Sequence, residues 1–253
     1  MRKSKTLARI RAGEVIRTCV LGHFVPAYVF QAARAGYDCI WLDLEHRAIT
    51  IREIQVLLTY SHLYDIDIML RPATLEKTGL YRYLEEGAAG LLIPHVSTAE
   101  KAAMLVDAVK FPPIGDRGID NAGIDSDFNT HSVDDYVKWA NNETFLAVQI
   151  ETPEGVRNVD AIAATEGVDV LFVGPGDLGL RLSQTGEMTL DEAWELVAAA
   201  CKKHGKAFGG PTLPMEEMQK RKDQGAQLLI NNSEFQAIRS GLAENIGKFD
   251  ELS

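Results

Sequence analysis

Two short stretches decide the fold of this 253-residue chain: residues 148–151, VQIE, and residues 172–177, FVGPGD. Each is an apolar run that ends in a carboxylate, a pattern typical of a buried strand. The segment from residue 153 to about 167 has helical character, so the three predict one parallel strand–helix–strand unit. Because the carboxyl ends of parallel strands meet at one edge of a sheet, we expect Glu151 and Asp177 to lie together.

These two carboxylates repel each other unless a cation lies between them. Oxygen ligands favour a hard divalent ion, so we expect Mg²⁺ or Mn²⁺, with Co²⁺ as a third candidate. The alternative is that each acid simply begins a helix, where negative charge is favourable. For either acid alone this alternative would be preferred. For both, on successive strands, a metal site with Glu151 and Asp177 as ligands is the better hypothesis.

The alternation of strand and helix continues along the whole chain. The predicted strands are residues 18–25, 37–44, 67–71, 89–96, 144–150, 169–174, 207–210 and 227–230. Eight strand–helix repeats in about 250 residues predict an α/β fold closed into a (β/α)8 TIM barrel. We expect residues 1–253 to form a single domain and residues 1–17 to form a short helix that covers one end of it.

Composition narrows the class of partner. The net charge of −10 argues against a nucleic-acid partner, because phosphate binding needs a basic surface. No apolar stretch approaches the ~20 residues that span a bilayer, and no signal-peptide pattern follows the basic start. Cys19, Cys39 and Cys201 are scattered and odd in number, which favours reduced, buried thiols over disulfides or a zinc site. We therefore expect a cytoplasmic enzyme that acts on small molecules.

Polar side chains suited to catalysis stand where the predicted strands end. Active sites of such barrels lie at the carboxyl ends of the strands, and these ends carry imidazoles, a guanidinium and several carboxylates. The residues are Asp43, Glu45 and His46 after the second strand, Arg71 after the third, His95 after the fourth, Gln149 and Glu151 after the fifth, and Asp177 after the sixth. Their number on one rim predicts an active site.

Two of these side chains have candidate roles. His46 is a candidate general base because an imidazole titrates near neutral pH; taken alone, it would more simply be a loop histidine that caps a helix. Arg71 offers a planar cation to an oxyanion or carboxylate, and an ion pair with Asp43 or Glu45 is compatible with that role. No lysine ends a predicted strand, which argues against a Schiff-base aldolase.

Gly174, Gly176 and Gly179 match the dinucleotide-binding pattern G-x-G-x-x-G, but the match is weak. It comes at the sixth strand, and Asp177 would place a carboxylate beside the pyrophosphate. A short loop whose backbone N–H groups face a small anion is the better interpretation. A 2-oxo acid chelating the metal would fit this rim, with Arg71 and the metal stabilising its enolate.

The residues at these strand ends resemble those of a known family. The chain looks like the HpcH/HpaI family of class II, metal-dependent pyruvate aldolases, which includes 4-hydroxy-2-oxoheptanedioate and 2-dehydro-3-deoxyglucarate aldolases. The resemblance covers about residues 20 to 241. The matching stretches are LDLEH at 42–46, LRP at 70–72, EGA at 86–88 with LIP at 92–94, RG at 117–118, QIET at 149–152, and GVD at 167–169 running into VGPGDL at 173–178.

The resemblance implies a (β/α)8 barrel in a homohexamer, often built by exchange of the last helix between subunits. It implies Glu151 and Asp177 as ligands of Mg²⁺, Mn²⁺ or a similar ion. It also implies His46 as the base and Arg71 as the group that stabilises the enolate. In the family an acidic residue raises the basicity of the histidine, and the matching position here is Glu85.

The same resemblance implies how the oxo acid is bound. Gln149 and the backbone at Gly176 would contact it, within the turn formed by Gly174, Pro175, Gly176 and Asp177. The chain departs from the family pattern at Leu44, at Gly176 and Gly179, and over residues 117–129 and 231–234. We expect these regions to meet the aldehyde half of the substrate.

These observations predict a carbon–carbon lyase that cleaves a 4-hydroxy-2-oxo acid to pyruvate and an aldehyde, reversibly. One alternative is a citryl- or malyl-CoA-type lyase on a related barrel, although no phosphate-binding loop or basic cluster is evident near the rim. Another is a catalytically idle barrel that binds an oxo acid.

Overall fold

Eight parallel strands pair in chain order and close on themselves, with β1 beside both β2 and β8. The computed structural model describes residues 1–250 and 252. The strands are β1 Ile16–Leu21, β2 Cys39–Asp43, β3 Asp67–Arg71, β4 Gly90–Ile93, β5 Phe145–Ile150, β6 Val170–Val173, β7 Ala207–Pro211 and β8 Leu228–Ser233. The predicted (β/α)8 barrel is confirmed. That residues 1–253 act as one domain stays a prediction.

Helices surround the barrel. They are α1 Lys5–Ala12, α2 Pro26–Ala35, α3 Ile51–Leu63, α4 Lys77–Glu85, α5 Ala99–Val109, α6 Val133–Glu143, α7 Pro153–Arg157, α8 Val159–Ala164, α9 Pro175–Thr185, α10 Leu190–His204, α11 Met215–Asp223 and α12 Glu234–Asp250. A short 3-10 helix covers Ile124–Ser126. Local sequence sets several boundaries: Thr50 and Glu53 form a capping box that begins α3, and Gly36 ends α2 in the left-handed conformation.

Alternate residues of each strand face the barrel interior. Ile16, Cys39, Met69, Phe145 and Leu228 belong to one buried cluster there, with Val20 and Trp41 packed against it. Since side chains alternate along a strand, the inward row of β1 runs from Ile16 through Thr18 and Val20 to Gly22. The inward rows of β2, β3 and β5 likewise end in Asp43, Arg71 and Gln149, at the mouth of the barrel.

The N-terminal helix closes the opposite end, as predicted. Leu7 of α1 is buried in the interior cluster beneath the first residues of the strands. The Asp67 carboxylate, at the start of β3, accepts hydrogen bonds from Ser4 Oγ at 2.7 Å and from the Thr6 backbone N–H at 2.8 Å. These bonds hold α1 under the strand-entry end.

Several local predictions were wrong. The first strand ends at Leu21 and not at residue 25, and the fourth ends at Ile93 and not at residue 96. The helix expected over residues 153–167 is broken at Asn158 into α7 and α8. The loop expected after β6 is the first turn of α9, so Asp177 lies on a helix. The polar residues 231–233 continue β8 beyond the predicted end at Ile230.

The last helix, α12, packs little of its surface on its own barrel. Within the described part of the chain, Glu234 is its one buried residue. A row of large apolar side chains on one face is exposed, and spacings of three and four residues place them on one stripe. The stripe consists of Phe235, Ile238, Leu242, Ile246 and Phe249.

No described helix is both long enough and apolar enough to span a lipid bilayer. The three cysteines are free and buried, and burial raises the pKa of Cys19 and of Cys201 to about 12. Both thiols are therefore protonated at neutral pH, which disfavours a nucleophilic role for them.

Candidate active site

Arg71 forms the centre of an ion-pair network at the mouth of the barrel. Its Nε and Nη2 atoms bind the two carboxylate oxygens of Asp43, each at 2.9 Å, and its Nη1 lies 3.0 Å from Glu45 Oε2. The guanidinium also stacks over the Trp41 ring, 4.6 Å from the ring centroid. Both predicted ion pairs therefore exist at once, and they fix the guanidinium in one orientation.

Burial opposes ionisation of Asp43, yet the hydrogen bond and charge of Arg71 outweigh it and lower the pKa of this carboxyl. Asp43 is therefore an anion at neutral pH. Its Oδ1 also accepts the Glu45 backbone N–H at 3.0 Å. The turn after β2 is thus tied to the strand that precedes it.

His95 links the arginine network to Glu151. Its Nδ1 lies 2.9 Å from Glu151 Oε1, its backbone N–H donates to the same oxygen at 2.6 Å, and its Nε2 lies 3.5 Å from Glu45 Oε1. The His95 backbone is left-handed, with φ 56°. Sequence reasoning placed His95 on the rim but gave it no role, although its position after Pro94 at a strand end was the available signal.

Glu151 and Gln149 share one buried corner beside β6. Gln149 Nε2 donates to Glu151 Oε2, and both residues are buried. A Cβ on Gly174 would lie 2.6 Å from that nitrogen and 2.8 Å from that oxygen. Glycine is therefore required at this position so that the two side chains can occupy the corner.

Asp177 stands in the first turn of α9, where the unpaired N–H groups favour an anion. Its Oδ1 lies 3.1 Å from Arg181 Nη1, which also donates to the Glu151 carbonyl at 2.9 Å. Arg181 thus joins the two predicted metal ligands. Beside Asp177, a Cβ on Gly176 would meet no described atom within 4 Å, so the start of the helix is open.

His46 lies at the outer edge of this network. Its side chain is 58% exposed, and its Nε2 is 3.6 Å from Glu45 Oε2. The structure therefore brings together Asp43, Glu45, Arg71, His95, Gln149 and Glu151, with His46 and Asp177 on either side. Of the predicted site residues, Gly174, Pro175 and Gly176 form the start of α9 beside Asp177, and Glu85 is the one that lies elsewhere.

Glu85 lies away from this mouth. It is the last residue of α4, which runs back from the rim to the strand-entry end. Residues 117–129 pack there too, since a Cβ on Gly123 would lie 2.6 Å from the Glu85 carbonyl oxygen. Within the single chain Glu85 therefore does not lie beside His46, and the roles expected for Glu85 and for residues 117–129 stay predictions.

The donor groups at the mouth fit a hard divalent ion. Burial raises the pKa of Glu151, and the charges of Glu45 and Asp177 add to this effect, whereas the His95 N–H opposes it. Gln149 Oε1 is buried and has no hydrogen-bond partner among the described residues. A cation would relieve both features.

The protein supplies few ligands, however. Over the described residues, no three side chains of His, Cys, Asp or Glu converge as a metal cluster. Mg²⁺ commonly binds through one or two carboxylates and retains several waters, so two carboxylates are compatible with it.

A parallel barrel with two carboxylates and an oriented arginine at the carboxyl ends of its strands is typical of a barrel enzyme. Comparison with known proteins identifies the family of this enzyme. The profile of the HpcH/HpaI aldolase/citrate lyase family matches residues 20–236. A hydroxypyruvate/pyruvate aldolase of Delftia acidovorans is 29% identical over 245 residues, 96% of this chain and 91% of that protein. A 5-keto-4-deoxy-D-glucarate aldolase of Klebsiella pneumoniae is 36% identical over 210 residues, 81% of each chain.

A solved structure agrees with these sequence relatives. An HpcH/HpaI aldolase from Desulfitobacterium hafniense is 30% identical and superposes with a TM-score of 0.89, over 97% of this chain and 96% of that one. This chain belongs to the HpcH/HpaI aldolase/citrate lyase family. The predicted family is confirmed, and the named relatives support the prediction of an aldolase.

Proposed function

We propose that this protein is a divalent-metal-dependent aldolase that cleaves a 4-hydroxy-2-oxo acid to pyruvate and an aldehyde, and that also runs in reverse. The observation that carries the proposal is the network in which Arg71, bound by Asp43 and Glu45, is joined through His95 to Glu151. It places a fixed cation beside a carboxylate site, as enolate chemistry requires. The aldolase names of the relatives support it further.

In this proposal Glu151 and Asp177 hold the ion, which is Mg²⁺ or Mn²⁺. When bound, such an ion would polarise the keto group of a 2-oxo acid and stabilise negative charge on it. The buried Oε1 of Gln149 has no hydrogen-bond partner among the described residues, and we propose that Gln149 contacts the oxo acid. The open first turn of α9, from Gly174 through Pro175 and Gly176 to Asp177, offers N–H groups to its carboxylate.

The side chains then divide the proton and charge transfer between them. In cleavage, His46 takes the proton of the 4-hydroxyl, the C3–C4 bond breaks, and the C4–O bond becomes the aldehyde carbonyl. The electron pair of the broken bond passes into the enolate of pyruvate, whose oxygen Arg71 stabilises. His46 then returns the proton to C3, which gives pyruvate. The exposed position of His46 beside Glu45 suits a base that must meet a substrate from the barrel mouth.

Hydrogen–deuterium exchange into the methyl group of pyruvate tests this proposal without the need to choose an aldehyde. Pyruvate in D₂O is followed by proton NMR with Mg²⁺, with Mn²⁺, and with a chelator. We expect exchange that needs the metal and falls in His46→Ala and Arg71→Lys. His204→Ala is the matched control, because His204 is the last residue of α10 and is paired with Asp160 of α8. Absence of metal-dependent exchange in the parent protein would overturn the proposal.

A CoA-ester lyase is the second candidate, because the family description includes citrate lyase. That reaction needs a site for the nucleotide, and CoA would then raise the melting temperature, since a ligand of the folded state stabilises it. An idle oxo-acid-binding barrel would bind metal without exchanging the protons of pyruvate. The exchange assay and a CoA thermal shift therefore separate the three functions.

We also propose that the protein is a homohexamer in which α12 packs on a neighbouring subunit. The outer faces of β1 and β8 line two adjoining grooves of about 550 and 410 Å³, which share Val15, Arg17, Met218 and Leu229. In a barrel of this kind the last helix would cover that surface, and here it is open while the apolar stripe of α12 is exposed. The free, buried cysteines support a reducing, cytoplasmic location.

A further inference from the structure

Arg47 directly follows His46, and its side chain lies against Gly22 at the end of β1. A Cβ on Gly22 would come within 3.0 Å of Arg47 Nε and 3.3 Å of its Cγ. Gly22 directly follows β1 at the mouth of the barrel, and Val20, two residues before it, packs against the barrel interior. The stem of Arg47 therefore occupies the space that a larger residue at position 22 would fill.

This arginine faces the predicted metal ligands from the other side of the mouth. In a closed barrel of eight strands in chain order, β1 lies opposite β5 and β2 lies opposite β6. Arg47 stands at the ends of β1 and β2, whereas Glu151 and Asp177 follow β5 and β6. A substrate held at the metal by its pyruvate half would extend its other half towards Arg47.

The charge of Arg47 is not used within the fold. Arg71 and Arg181, the other rim arginines named above, form ion pairs with carboxylates. Arg47 donates from Nη1 to the His46 carbonyl at 2.8 Å, and across the described residues no carboxylate lies within 4.0 Å of it. An exposed guanidinium with free donors can bind a carboxylate with two parallel hydrogen bonds.

The backbone beneath Arg47 is fixed by the start of α12. Glu234 is buried, and its Oε1 accepts the Gly22 backbone N–H at 2.9 Å and lies 2.7 Å from His23 Nδ1. The His23 ring also packs on Phe235, with the ring centroids 4.4 Å apart. The start of α12 therefore holds in place the segment after β1 against which Arg47 lies.

We propose that Arg47 is a specificity-determining residue that selects acceptor aldehydes bearing a carboxylate. The substrate in the cleavage direction is then a 4-hydroxy-2-oxo dicarboxylic acid, with one carboxylate at the metal end and the other at Arg47. This inference rests on the aldolase function proposed above. It goes beyond that function because it names the charge of the aldehyde half and the residue that binds this charge.

The test compares two aldehydes of similar size, glyoxylate, which is charged, and glycolaldehyde, which is neutral. Rates of aldol addition to pyruvate with Mn²⁺ are measured for the parent, Arg47→Gln and Arg47→Lys, and each is divided by the pyruvate exchange rate of the same preparation. Arg47→Gln should raise the KM for glyoxylate about 10- to 100-fold and change that for glycolaldehyde less than about twofold. Arg47→Lys should recover part of the preference, because it keeps the charge and loses the fork.

Two control variants separate this site from a general effect of charge. Lys101→Gln removes the rim lysine that donates to the His95 carbonyl, and Arg52→Gln removes an exposed arginine of α3. Neither should reproduce the change in glyoxylate KM. Equal effects of Arg47→Gln on both aldehydes, or an equal effect of Lys101→Gln, would overturn the inference while leaving the aldolase function standing. A parent protein without pyruvate exchange would instead overturn the function itself, and this inference with it.

Discussion

Arg71 binds Asp43 through two parallel contacts, Nε to Oδ1 and Nη2 to Oδ2, each 2.9 Å long, and both side chains are buried. Asp43→Asn keeps the shape but removes the charge, so Arg71 keeps Glu45 as its one acidic partner in this network. We expect the free energy of unfolding to fall by about 2 kcal/mol and pyruvate exchange to fall about 100-fold, because the guanidinium loses its fixed orientation. Urea denaturation and the NMR assay measure these effects.

Asp107→Asn is the control for Asp43→Asn. Asp107 pairs with Lys77 on the surface, at 3.0 Å, and exposed pairs of this kind contribute about 0–1 kcal/mol. The Asp107→Asn variant should exchange the methyl protons of pyruvate at the same rate as the parent. If Asp43→Asn also exchanged at the parent rate, Arg71 would not depend on Asp43 for its function.

Gly174→Ala should weaken metal binding at the corner formed by Gln149 and Glu151, and Gly176→Ala should not. A Cβ at position 174 would collide with Gln149 and Glu151 at 2.6 and 2.8 Å, whereas at position 176 it would meet open space among the described atoms. We expect Gly174→Ala to weaken Mn²⁺ binding at least about tenfold, comparable to the loss of an outer-shell partner. Titration calorimetry with Mn²⁺ alone measures this without any turnover. Equal Kd values for the two variants would show that Glu151 is not a ligand.

The barrel could be predicted from sequence because most strands are buried on both faces and so form bounded apolar runs. The same rule explains the misplaced end of β8, where residues 231–233 are polar yet remain paired. The start of α9 was missed for a similar local reason, since Gly174, Pro175 and Gly176 resemble a loop. Proline in the first helical turn needs no hydrogen bond from its nitrogen, so the helix begins there at little cost.

The site was predictable only in part because its contacts join distant strands. The rim membership of Arg71, Gln149 and Glu151 follows from their places at strand ends. The bridge from Glu45 through His95 to Glu151 depends on barrel closure and on the left-handed backbone of His95. No local sequence pattern predicts either feature. Glu85 was assigned by resemblance alone, although the antiparallel course of α4 already places its last residue at the strand-entry end.

Glu85→Gln should stabilise the protein at high pH. Burial raises the pKa of Glu85 to about 7; Arg117 opposes this effect, while Asp125 and Asp120 add to it. Between its ordinary pKa of 4.5 and about 7, the folded state retains a proton that the unfolded state releases, so stability falls as pH rises through this window. The glutamine variant avoids this loss. Its free energy of unfolding should match that of the parent near pH 4 and exceed it by about 1 kcal/mol near pH 8. This value is reduced by solvent screening, because the carboxyl is half-exposed. Urea midpoints across this range measure it, and a difference that did not vary with pH would contradict the assignment.

Substitution of the exposed stripe of α12 should break the assembly without unfolding the barrel. In the double variant Leu242→Asp and Ile246→Asp, two side chains that are 67% and 63% exposed in the single chain would place charges against the apolar part of the groove, where burying them is costly. Because neither side chain supports its own barrel, circular dichroism should be unchanged while light scattering reports monomers in place of hexamers. Ser240→Asp adds a charge to the opposite face of the helix and should leave the hexamer intact. A double variant that remained hexameric would show that α12 does not form the subunit interface. A parent protein that was already monomeric would overturn the proposed assembly, because the exposed stripe would then not bind a second copy of this chain.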